Sequence, residues 1–586
     1  MENKFIIFKK LEGGIVLNVL QHDLIIIGSG LAGLRAALEA SYLSKGELDI
    51  ALVSKTQLLR PHSVCAEGGT GAALRVDEGD SPELHAWDTV KGSDFLADQD
   101  AVWRFVEQIP QEILKLDHWG IPWARRANGQ IDQRPFGGHS FPRAVFAADK
   151  TGFFEVHTMY DNLQRFPNVH RYDEVMVTSL LIKDGEYRGF TAIDLARGEF
   201  LVFNSKALII ATGGACRIYG FTTYSYTVTG DGMALAYKAG LPLKDMEFVQ
   251  FHPTGFVPSG ILITEAARGE GGYLINNLGE RFMGKYAEKM MELAPRDIVS
   301  RSEMQEIEAG RGFQREDGLD YVLLDLTHLG REKINERLPL IREVAIKFGG
   351  IDPIEKPLPV RPVAHYSMGG IHVDIDGQTS VPGVYAAGEV ACVSIHGANR
   401  LGTNSTAECL VWGGITGAKA YEHLKTQKSL PDIPKEMVQQ EEDRIKDIYA
   451  KPNKESLYTI RKELREIMDK NVGVYREEKG LKVALEKVRE LSQRFKDCGL
   501  EDKSKYYNTD LVSYLEMENM LTLAEVIVLG ALERKESRGG HARRDYPNRD
   551  DENFLKHTLA YYTPQGPKLD YLPVKITTWK PVERKY

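Results

Sequence analysis

The first strong pattern along the chain is a run of four apolar residues, Leu24 to Ile27, closed by Gly28-Ser29-Gly30-Leu31-Ala32-Gly33. A short continuous apolar run bounded by glycine predicts a strand buried on both faces of a parallel sheet. Residues 31–44 have helical composition, and 49–54 form a second short apolar run. Strand, glycine turn, helix and strand make a βαβ unit with a GxGxxG turn. The first glycine permits the tight turn, the second lets the backbone approach a pyrophosphate, and the third packs helix on strand. Gly28, Gly30 and Gly33 are therefore expected to cradle a dinucleotide at a helix N-terminus, where free amides and the dipole favour an anion. The second strand ends in Ser54-Lys55, where the fingerprint prefers an acid for the ribose of NAD.

Two more strand–glycine segments follow, KALIIATGGACRIYG (206–220) and PGVYAAGEVA (382–391). They predict one Rossmann-like domain interrupted by an insertion. The insertion holds short strands, PRDIVSRSEMQEIEAG and the amphipathic LGREKINERLPLIREVAIKF. From about 425 the composition turns to charged helices, with Leu481, Leu485, Val488, Leu491 and Phe495 at helical spacing, as for a stripe packed inside a helical domain. The expected α/β architecture is an N-terminal extension (1–21) and a discontinuous nucleotide-binding domain (22–235 and 364–424). An α+β capping domain (236–363), a helical domain (425–545) and a small C-terminal domain (546–586) complete it.

Composition narrows the function. A net charge of −9 gives no general reason to expect nucleic-acid binding. No stretch approaches the length of a spanning helix, and residues 1–20 lack the pattern of a signal peptide. A membrane link is expected to run through a partner. The five cysteines, Cys65, Cys216, Cys392, Cys409 and Cys498, are scattered without CxxC spacing. That argues for a reducing compartment and against an iron–sulfur cluster or structural zinc within this chain.

Ordered strings spread over most of the chain resemble one family, the flavoprotein subunit of succinate dehydrogenase and fumarate reductase. They include RPHSVCAEGG, FGGHSFPRAVFAADKTG, VTGDGMALA, MEFVQFHPTG, TEAARGEGGYLINNLGERFM, APRDIVSR, RPVAHYSMGGI, HGANRLGTNSTAE and RKESRGGHARRDYPNRDDENFLKHTL. The resemblance makes the first domain a Rossmann-like FAD-binding domain. It implies that His62, in RPHS, carries FAD through the flavin 8α carbon, although Pro61 departs from the usual serine. The bond would raise the flavin's potential, which a poor hydride donor such as succinate requires. Ser54, Lys55, Ser63, Gly68, Gly69, Asp231, Glu389 and Ser405 are the other implied cofactor contacts. Ser54 is placed at the adenosine ribose, Gly68 and Gly69 beside the ring, and Ser405 at the isoalloxazine edge.

The resemblance also implies that His252, Thr264, His365 and Arg400 hold the substrate carboxylates. Arg296 is then the acid/base, with Glu265 and Arg268 as its proton path. A dicarboxylate needs cations and donors at both ends, and Glu265 and Arg268, three apart, fall side by side on a helical turn. Ala266 and Ala267 depart from the glycine and cysteine often found there. His139 and His541 are read as structural. An alkali ion is common in the family near HYSMGG and GEV, but no metal ligand is assigned.

The function implied is FAD-dependent interconversion of succinate and fumarate. Electrons would pass to an iron–sulfur subunit, and through it to a quinone-reactive membrane anchor or another redox module. This places the chain in the cytoplasm, peripheral on the inner face of the cell membrane. LDLTHLG and KITTWKP lean towards the fumarate reductase branch. The runner-up is L-aspartate oxidase or a soluble fumarate reductase-like flavoenzyme, for which His62 discriminates. A non-catalytic flavin-loaded assembly subunit has no need of a dicarboxylate clamp.

Overall fold

The computed structural model describes residues 6–10 and 16–585. Its main sheet has eight strands, five of them parallel, and four of these lie in the order β3-β2-β1-β4: β1 (Val16–Ile27), β2 (Ile50–Val53), β3 (Val169–Tyr172) and β4 (Glu199–Ile210). α1 (Leu31–Leu43) follows the glycine turn. β1 starts well before Leu24, so residues 16–21, expected in an extension, belong to the sheet. The cause is β4, whose twelve residues offer β1 hydrogen-bond partners from Val19 to Ile27. The strand Ile6–Lys10 adds antiparallel to β1, while residues 1–5 and 11–15 of the expected extension lie outside the described residues.

The insertion forms a four-stranded antiparallel sheet built on β5 (Val249–Phe256) and β6 (Leu358–Ser367), with α2 (Arg296–Glu306) packed on both. The boundary drawn at 236 falls short of it. Leu243–Lys244 pairs instead with Gly370–His372 and with Lys556–Tyr561 of the C-terminal segment. The amphipathic segment is two helices, Gly330–Arg337 and Pro339–Gly349, because Pro339 has no N–H to continue the first and suits the first turn of the second. The chain then rejoins the main sheet through β7 (Val384–Ala386), parallel to β4, and α3 (Asn404–Leu424), which packs on α1.

Three helices, α4 (Leu457–Asn471), α5 (Glu478–Phe495) and α6 (Thr509–Glu533), pack together, and all five residues of the α5 stripe are buried. α6 is apolar nearly all round and buries most of its length, as a central helix must.

The glycine turn is closed by contact rather than by convention. Gly28 has φ +109°, and a Cβ on Gly33 would sit 2.0 Å from the Gly28 carbonyl oxygen. Gly33→Ala must therefore push α1 away from the turn. The expected outcome is folded protein with a strongly reduced flavin-to-protein absorbance ratio; full flavin loading in this variant would contradict the close approach.

Candidate active site

One cavity of about 960 Å³ runs from the carboxyl ends of β1 and β2 to the face of the inserted sheet. Its volume is at the upper end of small-molecule and cofactor sites. Gly28, Gly30, Ser54, Lys55, His62, Ser63, Gly68, Gly69, Asp231, Glu389 and Ser405 all line it, as do His252, Thr264, Glu265, Arg296, His365 and Arg400. Gly33 and Arg268 stand just behind the wall, one under the turn and the other behind Glu265.

At the nucleotide end, Ser63 Oγ accepts a hydrogen bond from Leu31 N (3.3 Å), the first residue of α1. Lys55 is not free to meet a phosphate. Its ammonium is held by Asp231 at 2.5 Å and by Glu516 of α6 at 2.7 Å. Burial works against its charge, but the two carboxylates outweigh it and raise its pKa to about 12. Asp231 is thereby committed to Lys55 and Asn519 (3.0 Å). These residues line the cavity as expected, but as a closed ion cluster tied to the helical segment. Gly68 and Gly69 make room for the protein itself. A Cβ on Gly68 would meet the Phe136 ring at 2.6 Å, and one on Gly69 the Val145 carbonyl oxygen at 2.6 Å.

His62 opens a short 3₁₀ turn, half-buried, with its Nδ1 unpartnered among the described residues. Burial lowers its pKa to about 4, so the ring is neutral. Tyr224 lies against it with ring centroids 4.7 Å apart, and the Tyr224 hydroxyl donates to Glu389. Glu389 also accepts from Ser367 N (2.8 Å), and burial raises its pKa to about 8. Ser29 Oγ and Thr212 Oγ1, also on the cavity wall, are buried and unpartnered among the described residues. A glycine cradle, orphaned hydroxyls and a neutral imidazole in one long cavity fit a flavin dinucleotide.

The other end is dense in charge. Arg296, first residue of α2, donates from Nε to Glu265 Oε2 (2.6 Å) and from Nη1 to Gln250 Oε1 (3.0 Å). Arg268 Nη2 lies 3.6 Å from the same Glu265 oxygen, and its Nη1 donates to the Glu292 carbonyl. Glu265 Oε1 accepts from Gly137 N (2.6 Å), which fastens the inserted sheet to the nucleotide domain. Burial alone would raise the Glu265 pKa, but Arg296 and Arg268 hold it below the usual range. Burial lowers the Arg296 pKa to about 9, with Arg400 adding to the effect. The His252 and His365 rings meet edge-on with centroids 4.9 Å apart, and both are kept neutral by burial and by Arg296. Arg400 lies over the Tyr366 ring at 4.5 Å and donates to Ser405 Oγ (3.2 Å), so Ser405 positions this arginine. Thr264 is buried, its hydroxyl accepting from Ala266 N (3.3 Å).

Sequence reasoning missed two members. Gln250 bridges Arg296 to the backbone carbonyl of Arg400 (2.7 Å) and to Asn399 (2.9 Å), two residues before His252 in the MEFVQFHPTG string. Tyr224 carries no motif; only its packing reveals it. Behind the site, Glu303 is fully buried with neither carboxylate oxygen partnered among the described residues. Burial raises its pKa well above the usual range, against the pull of Arg268 and Arg361. His139 and His541 are buried, His541 beside Arg476 and His139 against the Gly402 carbonyl.

Fold and site together define an FAD-dependent oxidoreductase. The FAD binding domain family matches residues 23–406, and the fumarate reductase flavoprotein C-terminal family matches residues 461–586. The chain is 45% identical over 582 residues to the fumarate reductase flavoprotein subunit of Mycobacterium tuberculosis, covering 97% of this chain and 99% of that one. It is 42% identical to the succinate dehydrogenase flavoprotein subunit of Coxiella burnetii, covering 96% and 97%. A solved quinol fumarate reductase chain of Escherichia coli superimposes with a TM-score of 0.94 at 42% identity, covering 96% and 98%. The chain belongs to the succinate dehydrogenase and fumarate reductase flavoprotein family.

Glu303 gives a stability prediction. Its folded pKa is raised, so its contribution is fully present below the unfolded value near 4.5 and is lost as pH rises above it. Glu303→Met should therefore raise the thermal midpoint at pH 8, by an amount worth about 1–3 kcal/mol, and by much less at pH 4.5. A destabilised variant at pH 8 would contradict a dry, unpaired carboxyl.

Proposed function

We propose that this chain is the catalytic flavoprotein subunit that interconverts fumarate and succinate, with FAD joined to His62 through its 8α carbon. One observation carries the reading. Three buried guanidiniums, Arg268, Arg296 and Arg400, gather at the inner end of the cavity; Arg268 and Arg296 share the carboxylate of Glu265, while Glu389, Glu265 and Glu408 act on Arg400. A four-carbon dicarboxylate offers a carboxylate at each end to such donors.

Flavin, when bound, supplies or accepts the hydride at N5. The chain's own residues do the rest. Arg400, His252, His365 and Thr264 hold the carboxylates, with the two neutral imidazoles as hydrogen-bond partners. Arg296 delivers the proton. An ordinary guanidinium is too weak an acid, but burial and the Arg400 charge bring this one to about 9. It then gives up its proton to carbanion-like charge in a dry site. Glu265, an ionised carboxylate 2.6 Å from its Nε, relays the replacement proton, taken up from the side of Arg268 3.6 Å behind it. His62 is suited to the covalent bond because its ring is neutral and keeps a free lone pair.

The fumarate-reducing direction is supported by relatives of that name at 43–45% identity. Electrons are assigned to an iron–sulfur partner and, through it, to a quinone-reactive anchor or another redox module, which would hold the chain at the inner face of the cell membrane. A similar solved structure is titled a quinol-fumarate reductase with menaquinol. Among the described residues no helix is long and apolar enough to cross a membrane.

Arg296→Gln should lower turnover in both directions by on the order of 10²–10⁴-fold, with fumarate affinity far less affected. Substantial residual turnover would remove its role as acid. In the wild-type enzyme, fumarate reduction should fall as pH rises through about 9, where Arg296 loses its proton; a rate flat across that range would falsify the assignment. His62→Ser should leave flavin bound but extractable with acid, so that fluorescence no longer travels with the denatured chain. Succinate oxidation should suffer more than fumarate reduction; equal loss would contradict potential tuning by the bond.

A further inference from the structure

His22, Asp49 and His170 come together at the end of the main sheet away from the cavity. Nothing in the proposed reaction uses them. They sit on three neighbouring parallel strands: His22 within β1, Asp49 immediately before β2, and His170 as the second residue of β3. The register pairs Leu24 with Ile50 and Ala51 with His170, so the backbone brings all three residues to one end of the sheet. Asp49 Oδ1 lies 2.8 Å from His22 Nδ1 and 3.2 Å from His170 Nε2, and the three atoms fall within 4.8 Å of one another. Among the described residues this is the one group of three such side chains with that convergence.

We propose that His22, Asp49 and His170 form a binding site for a first-row divalent cation, with zinc as the best match, that ties β1, β2 and β3 together. Two imidazoles and one carboxylate are the donors zinc accepts. Zinc–ligand bonds of about 2.0–2.2 Å in tetrahedral geometry set ligand atoms roughly 3.3–3.6 Å apart. The 3.2 Å between Asp49 and His170 is close to that, the 2.8 Å between Asp49 and His22 is somewhat shorter, and all three ligand atoms already lie within 4.8 Å of one another. The surroundings are those of a metal site. His22 Nε2 is 2.9 Å from the Tyr172 hydroxyl, a contact that fixes the ring with Nδ1 facing Asp49. Asp49 is itself steadied, its backbone N–H donating to Asp23 Oδ2 (3.2 Å), while Asp23 Oδ1 pairs with Lys206 (2.8 Å). His22 is buried, whereas the Asp49 and His170 side chains are 30% and 29% exposed. That leaves an entry path and a position for water as fourth ligand. The trio is five residues before the cavity end of β1, roughly 17 Å away at ~3.3 Å per residue, so the cation acts on the sheet and not on the redox chemistry.

The alternative is a hydrogen-bonded trio that binds no metal, and titration separates the two. Untagged, FAD-loaded enzyme is stripped with a chelator, dialysed, and titrated calorimetrically with zinc chloride at pH 7.5. Asp49→Asn and His170→Gln, which keep hydrogen-bonding groups at half-exposed positions, are titrated beside it. The expected result is one zinc per chain with micromolar or tighter affinity, weakened at least 100-fold in each variant. Flavin content and turnover should stay unchanged in both variants, which separates a failure here from a failure of the fumarate assignment. A raised thermal midpoint with zinc should appear in the wild-type protein alone. No binding below about 100 μM, or equal binding in both variants, overturns the site; the latter would assign the zinc to other groups, such as the exposed Cys65. Should either variant fail to fold, zinc-edge X-ray absorption on the wild-type protein decides. A first shell with two imidazoles supports the site, and sulfur in that shell overturns it.

Discussion

The structure turns on a crowding of like charge: three buried guanidiniums, two of which share the carboxylate of Glu265. Arg268 and Arg296 both approach Glu265, and Arg400 acts on the same field from the opposite side. Like charges at this spacing in a poorly solvated site repel strongly. The protein relieves the repulsion by keeping every other ionisable group nearby from adding to it. His252 and His365 stay neutral. The Arg296 pKa falls until its proton becomes transferable. Burial first, and repulsion from Arg400 second, make Arg296 more acidic than an ordinary guanidinium; the proposed reaction uses that acidity.

Such a cluster survives only if the scaffold holds it. Glu265 and Arg296 belong to the inserted segment, Arg400 to the returning nucleotide segment. Two contacts bind these parts. Glu265 accepts from Gly137 N, and Asp149 accepts from Leu340 N (2.7 Å) and Ile341 N (3.2 Å) at the start of the helix Pro339–Gly349. A carboxylate at a helix N-terminus satisfies amides that have no partner within the helix. Gln250 adds a third tie, joining Arg296 to the Arg400 backbone. The same side chains that set the charges also set the distance between the two halves of the site.

What could be read from the sequence divides along a physical line. Local chemistry was legible: the glycine turn, the helix after it, the α5 stripe, and the pairing of Glu265 with Arg268 one helical turn apart. Motif strings located the arginines and histidines because their neighbours repeat a family pattern. Non-local pairing was not legible. Nothing in residues 16–21 announces that β4 is long enough to extend β1, and nothing near 243 announces that it pairs with the C-terminal segment. Lys55 and Asp231 look like cofactor ligands until Glu516, 461 positions on from Lys55, closes the cluster. Tyr224 and Gln250 were invisible because a single tyrosine or glutamine has no spacing to betray it. Glu303 was invisible for the opposite reason: a charged residue on a helix is ordinarily solvated, and only the packing of α2 shows that this one is not.

The direction of the reaction follows from where the free energy is stored. Stabilising the transition state between fumarate and succinate lowers the same barrier from either side, so in the proposed reaction the arginine cluster would accelerate both directions alike. What this chain can bias is the flavin's appetite for electrons. A bond at His62 and the guanidiniums at the inner end of the cavity would both favour the reduced, more negative cofactor. That bias helps succinate give up its hydride and makes reduced flavin a more reluctant donor to fumarate. A fumarate-reducing enzyme with this site must therefore overcome the bias from outside, by coupling the flavin to a low-potential electron donor through its partner. Net flux is set by the difference between that donor and the dicarboxylate couple, while the residues described here set how fast the difference is used.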